Sequence, residues 1–175
     1  DDERFLKSYW EHFKGKLLYM TGDYAIQDED GYFWMLGRAD EVLNVSGHRL
    51  GTREIEEVVS SHPAVAEAAV IGVRHELKGE GVLVLAVLKQ HIAPADQDGV
   101  AREITQLVRQ QIGPIATPDA IHFVSMLPKT RSGKIMRRVI RAVYQGDNLG
   151  DLSTIEDDAT VDMVREAVEL LRGDL

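Results

Sequence analysis

Residues 128–134 read Pro-Lys-Thr-Arg-Ser-Gly-Lys, a basic loop that ends in a Gly-Lys pair. From 128 to 141 the chain carries six Lys or Arg residues and no acid. Gly133 lets the backbone turn tightly and approach a ligand. The Lys134 ammonium is a compact point charge, able to follow an anion through a reaction. Together they suit delivery of positive charge to a phosphate or a carboxylate. A solvated helix face fits the same residues, and the segment taken alone leaves both readings open.

Two punctuated segments lie upstream. One is Tyr19-Met20-Thr21-Gly22-Asp23. The other is Gly37-Arg38-Ala39-Asp40, followed by Asn44-Val45-Ser46-Gly47-His48-Arg49-Leu50 and Glu54-Ile55-Glu56. With the lysine loop, these resemble in order and spacing the C-terminal end of the AMP-forming adenylating enzymes. That superfamily includes acyl-CoA synthetases, peptide-synthetase adenylation domains and luciferase. Residues 44–52, 112–114, 116–119 and 127–138, with the tail 146–154, are most similar to its acetyl-CoA synthetase group. Many members of the superfamily carry Lys where this chain has Asn44, a departure that disfavours a luciferase-like or peptide-synthetase assignment.

The resemblance implies that the parent converts acetate, ATP and CoA into acetyl-CoA, AMP and pyrophosphate through an acetyl-adenylate. A mobile C-terminal domain would serve both half-reactions by turning about a hinge at Asp40. Lys134 corresponds to the catalytic adenylation lysine. Asp23 corresponds to the acid that accepts hydrogen bonds from both ribose hydroxyls, Arg38 to a ribose or phosphate contact, and Arg49 to a nucleotide phosphate contact. Ser46 and Gly47 match the loop lining the pantetheine tunnel, where Gly47 also reads as a plain hairpin-turn glycine. Arg109 matches a contact to the CoA nucleotide. Backbone oxygens at Ser60, His62 and Val65 correspond to a Mg²⁺ site, although His62 before Pro63 is also an ordinary helix end. Further Mg²⁺ would arrive with ATP. Enzymes of this group are also switched off by acetylation of the lysine matching Lys134, which implies a lysine acetyltransferase and a deacetylase as partners. The alternatives are a propionyl- or other short-chain acyl-CoA synthetase, and a non-catalytic module that serves as an acetylation target.

Composition bounds these readings. The chain has 175 residues, a net charge of −9 and no cysteine, so thiol catalysis and Cys-based zinc sites are excluded. Residues 147–175 hold nine acids against two bases. The overall acidity argues against nucleic-acid binding, and the basic stretch points to a local anion site instead. No apolar run reaches the length of a membrane span, and Asp1-Asp2-Glu3-Arg4 lacks a signal-peptide layout. A cytoplasmic protein is the plain expectation.

The elements that must position these residues follow from periodicity. Residues 3–14 place Phe5, Leu6, Tyr9, Trp10 and Phe13 on one helical face. Residues 17–20 and 32–36 are expected to pair as strands around the turn 28–31, Asp-Glu-Asp-Gly. Residues 41–46 and 48–50 flank Gly47 as a tight loop. Thr52 is the expected N-cap of a helix over 53–61, ended by Pro63. Apolar runs at 65–73 and 81–89 read as strands buried on both faces. A polar loop (90–98), a helix (100–112), a strand (120–126), a helix (135–145), an irregular stretch (146–158) and a final helix (162–172) complete the order. The expected fold is α+β, a small C-terminal domain whose short sheet is flanked by helices. The organisation expected is 1–39 as the end of a larger N-terminal domain, 40–145 as the mobile domain and 146–175 as an acidic tail. One helix and one hairpin cannot bury a core alone, so the chain is expected to be a fragment.

Overall fold

The computed structural model describes residues 2–89 and 92–172. The chain divides into two compact units, 1–41 and 42–175. Gln90 and His91 of the expected 90–98 loop lie outside the described residues.

In the first unit, helix α1 (Asp2–Tyr9) is followed by a hairpin of β1 (Asp23–Gln27) and β2 (Phe33–Arg38). The helix is shorter than the expected 3–14. The Trp10 and Glu11 amides both donate to the Leu6 carbonyl, and the Met20 amide donates back to Tyr9 at 2.7 Å. Tyr19 then stacks on Tyr9 at 5.2 Å and meets Trp10 edge-on at 5.3 Å. Residues 17–20 are therefore not a strand. The turn decides this: Asp28 Oδ1 accepts the Tyr32 amide at 2.8 Å, and the Asp28 amide donates to the Tyr32 carbonyl at 3.0 Å. A turn closed at that pair puts Gln27 opposite Phe33, so the partner strand has to be the residues directly before the turn. The Trp34 indole donates to Asp28 Oδ2 at 2.8 Å and holds that carboxyl below its usual range. Phe33, Trp34 and Met35 are all more than half exposed, so the hairpin shows apolar surface on both faces.

In the second unit β3 (Val42–Val45) and β4 (His48–Gly51) form a hairpin that runs directly into α2 (Thr52–Ser60). Thr52 is a buried helical residue rather than the expected cap. Gly51 holds the cap position without a side-chain bond, because the strand leaves no separate capping residue. Strands β5 (Val65–His75) and β6 (Gly79–Leu88) form a long antiparallel pair. Helix α3 (Gln97–Gln111) crosses over to β7 (Ala120–Phe123), which pairs parallel with Leu83–Ala86 of β6. Helices α4 (Arg137–Gln145) and α5 (Ala159–Arg172) follow. The expected strand to 126 stops at Phe123, and the expected helix from 135 begins at Arg137 because Ile135 bridges to Lys129.

Alternation along β5 and β6 builds two cores. Val70, Val82, Val84 and Ala86 face Ile55 and Val59 of α2 and Ile104 and Val108 of α3. Ala69, Ile71, Leu83 and Leu85 face Val139, Ile140 and Val143 of α4 and Val161 and Val164 of α5. A sheet covered on both sides explains why these strands read as continuous apolar runs.

The outer edge of β5 is covered by charge. Glu56 of α2 accepts the Val70 amide at 2.8 Å and takes the Arg137 guanidinium of α4 with both oxygens, at 2.9 and 2.8 Å. Both side chains are largely buried, at 12% and 21% exposure. Glu67 and Lys129 pair farther along the same strand at 2.7 Å. We predict that Glu56→Ala costs about 3 kcal/mol in urea unfolding, because Arg137 is left without its carboxylate and the Val70 amide without its acceptor. A loss below about 0.5 kcal/mol would mean that water replaces the carboxylate there.

His122 of β7 is buried beside Tyr144, with ring centroids 5.9 Å apart. Neither ring nitrogen has a hydrogen-bond partner among the described residues. Burial holds the imidazole below its ordinary value of 6.5. As pH falls, the unfolded chain takes up this proton first, so stability is full above that value and declines as pH drops through it. The unfolding midpoint should therefore fall as pH is lowered from about 7.5 to about 5.5, less steeply in His122→Leu. Identical slopes in the two proteins would refute the assignment.

Candidate functional site

The lysine loop is a closed hairpin. The Thr130 amide donates to the Lys134 carbonyl at 2.8 Å, the Lys134 amide donates to Thr130 Oγ1 at 3.1 Å, and the Met136 amide donates to the Pro128 carbonyl at 2.8 Å. Gly133 sits at φ +79 inside the turn. Lys134 is exposed, and among the described residues its ammonium has no carboxylate partner.

Three other cations of this stretch are engaged by the fold. Lys129 pairs with Glu67, Arg137 is taken by Glu56, and Arg138 donates to the carbonyls of Leu149 and Asp151. The basic run is thus neither a continuous anion surface nor a plain solvated face. Three of its six charges hold the fold together, whereas Lys134 and Arg131 are exposed.

Ser46 and Gly47 are the two central residues of the β3–β4 turn, at φ +51 and +82. Two successive positive φ values are what a tight two-residue hairpin requires. Gly47 meets this without strain, whereas Ser46 is the only non-glycine residue recorded with positive φ among those described. The turn is pinned from below: the Ser46 amide donates to the Lys78 carbonyl at 2.8 Å, and Glu80 Oε2 accepts the Asn44 amide at 2.6 Å. Glu80 reaches Asn44 across Gly72, where an added Cβ would stand 2.8 Å from its carboxylate. Nothing local links 72, 80 and 44, so no sequence pattern marks Glu80 or Gly72. Arg49 lies on β4 opposite Asn44.

Asp23 opens β1 and is the register partner of Arg38, which ends β2, so the hairpin brings these two together. The Arg38 guanidinium lies over Gly22, 3.3 Å from where a Cβ would be, and a side chain there would push it away. A cavity of about 470 Å³ lies beside them, lined by Tyr9, His12, Thr21, Gly22, Arg38 and Ala39. Asp40 occupies a 3₁₀ turn, Ala39–Glu41, at the end of the first unit; its side chain lies outside the described residues.

Arg109 lines a groove of about 410 Å³ with Arg102, Thr105 and Gln106 of α3 and Asp119 at the start of β7. Asp119 is also structural, accepting the Val82 amide at 2.8 Å and pairing with Lys78. Ser60, His62 and Val65 follow one another around the end of α2. The His62 carbonyl accepts the Val65 amide at 3.0 Å, and the Lys89 ammonium already sits on the Pro63 carbonyl at 2.6 Å. The His62 ring is fully used: Nδ1 accepts the Ala64 amide at 3.3 Å, which leaves Nε2 to donate to Glu103 at 3.0 Å. The imidazole is therefore not available to a cation there. Among the described residues no three His, Asp or Glu side chains gather into a metal-binding group.

Residues 54–134 match the model of the AMP-binding enzyme C-terminal domain. The chain is 52% identical over all 175 residues to an acetyl-coenzyme A synthetase of Pyrobaculum aerophilum, of which it covers 26%. It is 53% identical over 173 residues, 99% of its length, to a 3-hydroxypropionyl-coenzyme A synthetase of Metallosphaera sedula, covering 25% of that protein. In fold it resembles acetoacetyl-CoA synthetase from Streptomyces lividans, with a TM-score of 0.79 and 24% identity over 99% of this chain and 25% of that one. The chain thus spans about a quarter of the length of the curated relatives it matches. Residues 54–134 of this α+β chain thus carry the C-terminal domain of the AMP-binding enzymes, and the identity with an acetyl-coenzyme A synthetase runs from one end of the chain to the other.

Proposed function

We propose that this chain is the C-terminal part of an AMP-forming acetyl-CoA synthetase. The observation that carries the reading is its 52% identity over the full chain with a relative of that name. The parent activity is then acetate plus ATP giving acetyl-AMP and pyrophosphate, followed by attack of the CoA thiol and release of AMP. A 3-hydroxypropionyl-CoA synthetase is the second reading, favoured by the 53% identity to such an enzyme. Both names denote short-chain acyl-CoA synthetases. A cytoplasmic setting belongs to this reading. Among the described residues no helix is long and apolar enough to cross a membrane.

In adenylation two anions must meet, the acetate carboxylate and the α-phosphate of ATP. Lys134 supplies positive charge to both as the carboxylate oxygen bonds to phosphorus and pyrophosphate departs. Its hydrogen-bonded loop and unpaired ammonium support that role. Asp23 accepts the two ribose hydroxyls, and Arg38 and Arg49 bind the nucleotide. Mg²⁺ bound with ATP would neutralise phosphate charge, and the main-chain oxygens at Ser60, His62 and Val65 are the residues available for a further ion.

For thioester formation the domain turns about Asp40, next to the break between the two compact units. The Ser46-Gly47 turn then borders the pantetheine arm, with Arg109 at the CoA nucleotide. The remaining part of the parent covers the exposed Phe33, Trp34 and Met35. Acetylation of Lys134 by a lysine acetyltransferase removes the charge that adenylation needs, and a deacetylase restores it.

In the full-length enzyme Lys134→Ala should lower acetate-dependent ATP–pyrophosphate exchange by about 10²-fold or more, while acetyl transfer from pre-made acetyl-AMP to CoA stays within about threefold. Equal loss of both half-reactions would rule out the assigned role. Gly47→Leu should do the reverse, blocking thioester formation and sparing exchange; unchanged acetyl-CoA production from acetyl-AMP would remove this turn from the pantetheine path. This chain alone should make no acetyl-CoA from acetate, MgATP and CoA, and measurable turnover would refute the fragment reading.

A further inference from the structure

We propose that the tail segment around residues 149–156 positions the adenylation lysine, and that Arg138 is the residue that holds the tail in place. The inference rests on the proposed role of Lys134. A two-stranded hairpin such as 128–136 is marginal on its own in water. Here it gains a third strand from the tail. Thr130 bridges to Ile155, the Glu156 amide donates to the Lys129 carbonyl at 2.8 Å, and the Arg131 amide donates to the Thr154 carbonyl at 3.1 Å. Ile155 is buried and packs into the same core as Leu127, Met136, Val139 and Ile140. The 129–131 flank of the loop is therefore tied to the tail, the other flank enters the core through Met136, and the turn carrying Lys134 is the part left projecting.

The tail is in turn fixed by α4. The two terminal nitrogens of Arg138 donate to successive turns of the chain, to the Leu149 carbonyl at 2.9 Å and to the Asp151 carbonyl. Gly150 lies between them at φ +69, and a Cβ there would stand 3.2 Å from the guanidinium. A planar fork can bridge two carbonyls in a way that a lysine ammonium cannot. Arg138 does not reach Lys134 itself. It acts through the tail, and so it is a positioning residue.

The consequence is specific to one half-reaction. Transition-state charge stabilisation depends on placement, and a shift of about 1 Å can cost about 10²-fold. Thioester formation uses the Ser46-Gly47 turn, which is tied to Lys78 and Glu80 rather than to the tail. Loosening the tail should slow adenylation and leave acetyl transfer alone.

The test uses full-length enzyme. Arg138→Ala should lower kcat for acetate-dependent ATP–pyrophosphate exchange by about tenfold or more, with the KM for ATP within about twofold. Acetyl transfer from acetyl-AMP to CoA should stay within about twofold. Glu156→Pro, which deletes the amide donated to Lys129, should give the same split should Arg138→Ala fail to fold. A parallel fall in both half-reactions, or exchange at the wild-type level in both variants, overturns the proposal. Lys134→Ala measured alongside separates two failures. If it retains exchange, the assigned role of the lysine is wrong. If it loses exchange while the two tail variants keep it, only the positioning role falls.

Discussion

A strand with apolar side chains on both faces has to find helices for both, and β6 imposes that constraint on the second unit. It pairs with β5 along its whole length, with β3 at Gly79 and with β7 along Leu83–Ala86. Val82, Val84 and Ala86 require one helical layer, and Leu83 and Leu85 require the other. The chain meets the demand with α2 and α3 on one side and α4 and α5 on the other. The two layers are then joined around the β5 edge by Glu56 and Arg137, an ion pair between side chains 81 residues apart in sequence. The two candidate loops hang from this frame. The β3–β4 turn projects beside the β5–β6 turn, and the lysine loop leaves the sheet just after β7.

Where the determinants were local, the sequence was legible. The β5 and β6 runs, the Ser46-Gly47 turn, the Pro63 stop and the final helix all follow from patterns within a few residues. So do the order and spacing of the motifs that identified the family. The errors came from non-local competition. Residues 17–20 have strand-like composition, but the side-chain bonds of Asp28 fix the hairpin register and Tyr19 is taken up by Tyr9 and Trp10. Thr52 has the chemistry of a cap, but β4 runs into α2 without a break.

Charge was the hardest property to read. Six cations in fourteen residues looked like a single feature. The partners of three of them, Glu56, Glu67 and the carbonyls of Leu149 and Asp151, come from three separate parts of the chain. Only tertiary structure can distinguish a structural guanidinium from a lysine left available for chemistry. The same holds for Glu80, an acid with no motif around it that fixes the backbone of Asn44 beneath the turn.

The ladder between 129–131 and 154–156 also bears on how order is acquired. The β5–β6 hairpin closes over three residues and costs little chain entropy. The parallel β6–β7 pairing needs a crossover through α3, and the lysine loop gains its third strand only after α4 and the irregular tail have been laid down. Non-local pairings of this kind are expected late in folding and early in local opening. The lysine loop therefore occupies a segment whose order depends on the last part of the chain to dock. A modifying enzyme that needs an extended peptide around Lys134 would find it through brief release of the tail, without unfolding the two cores.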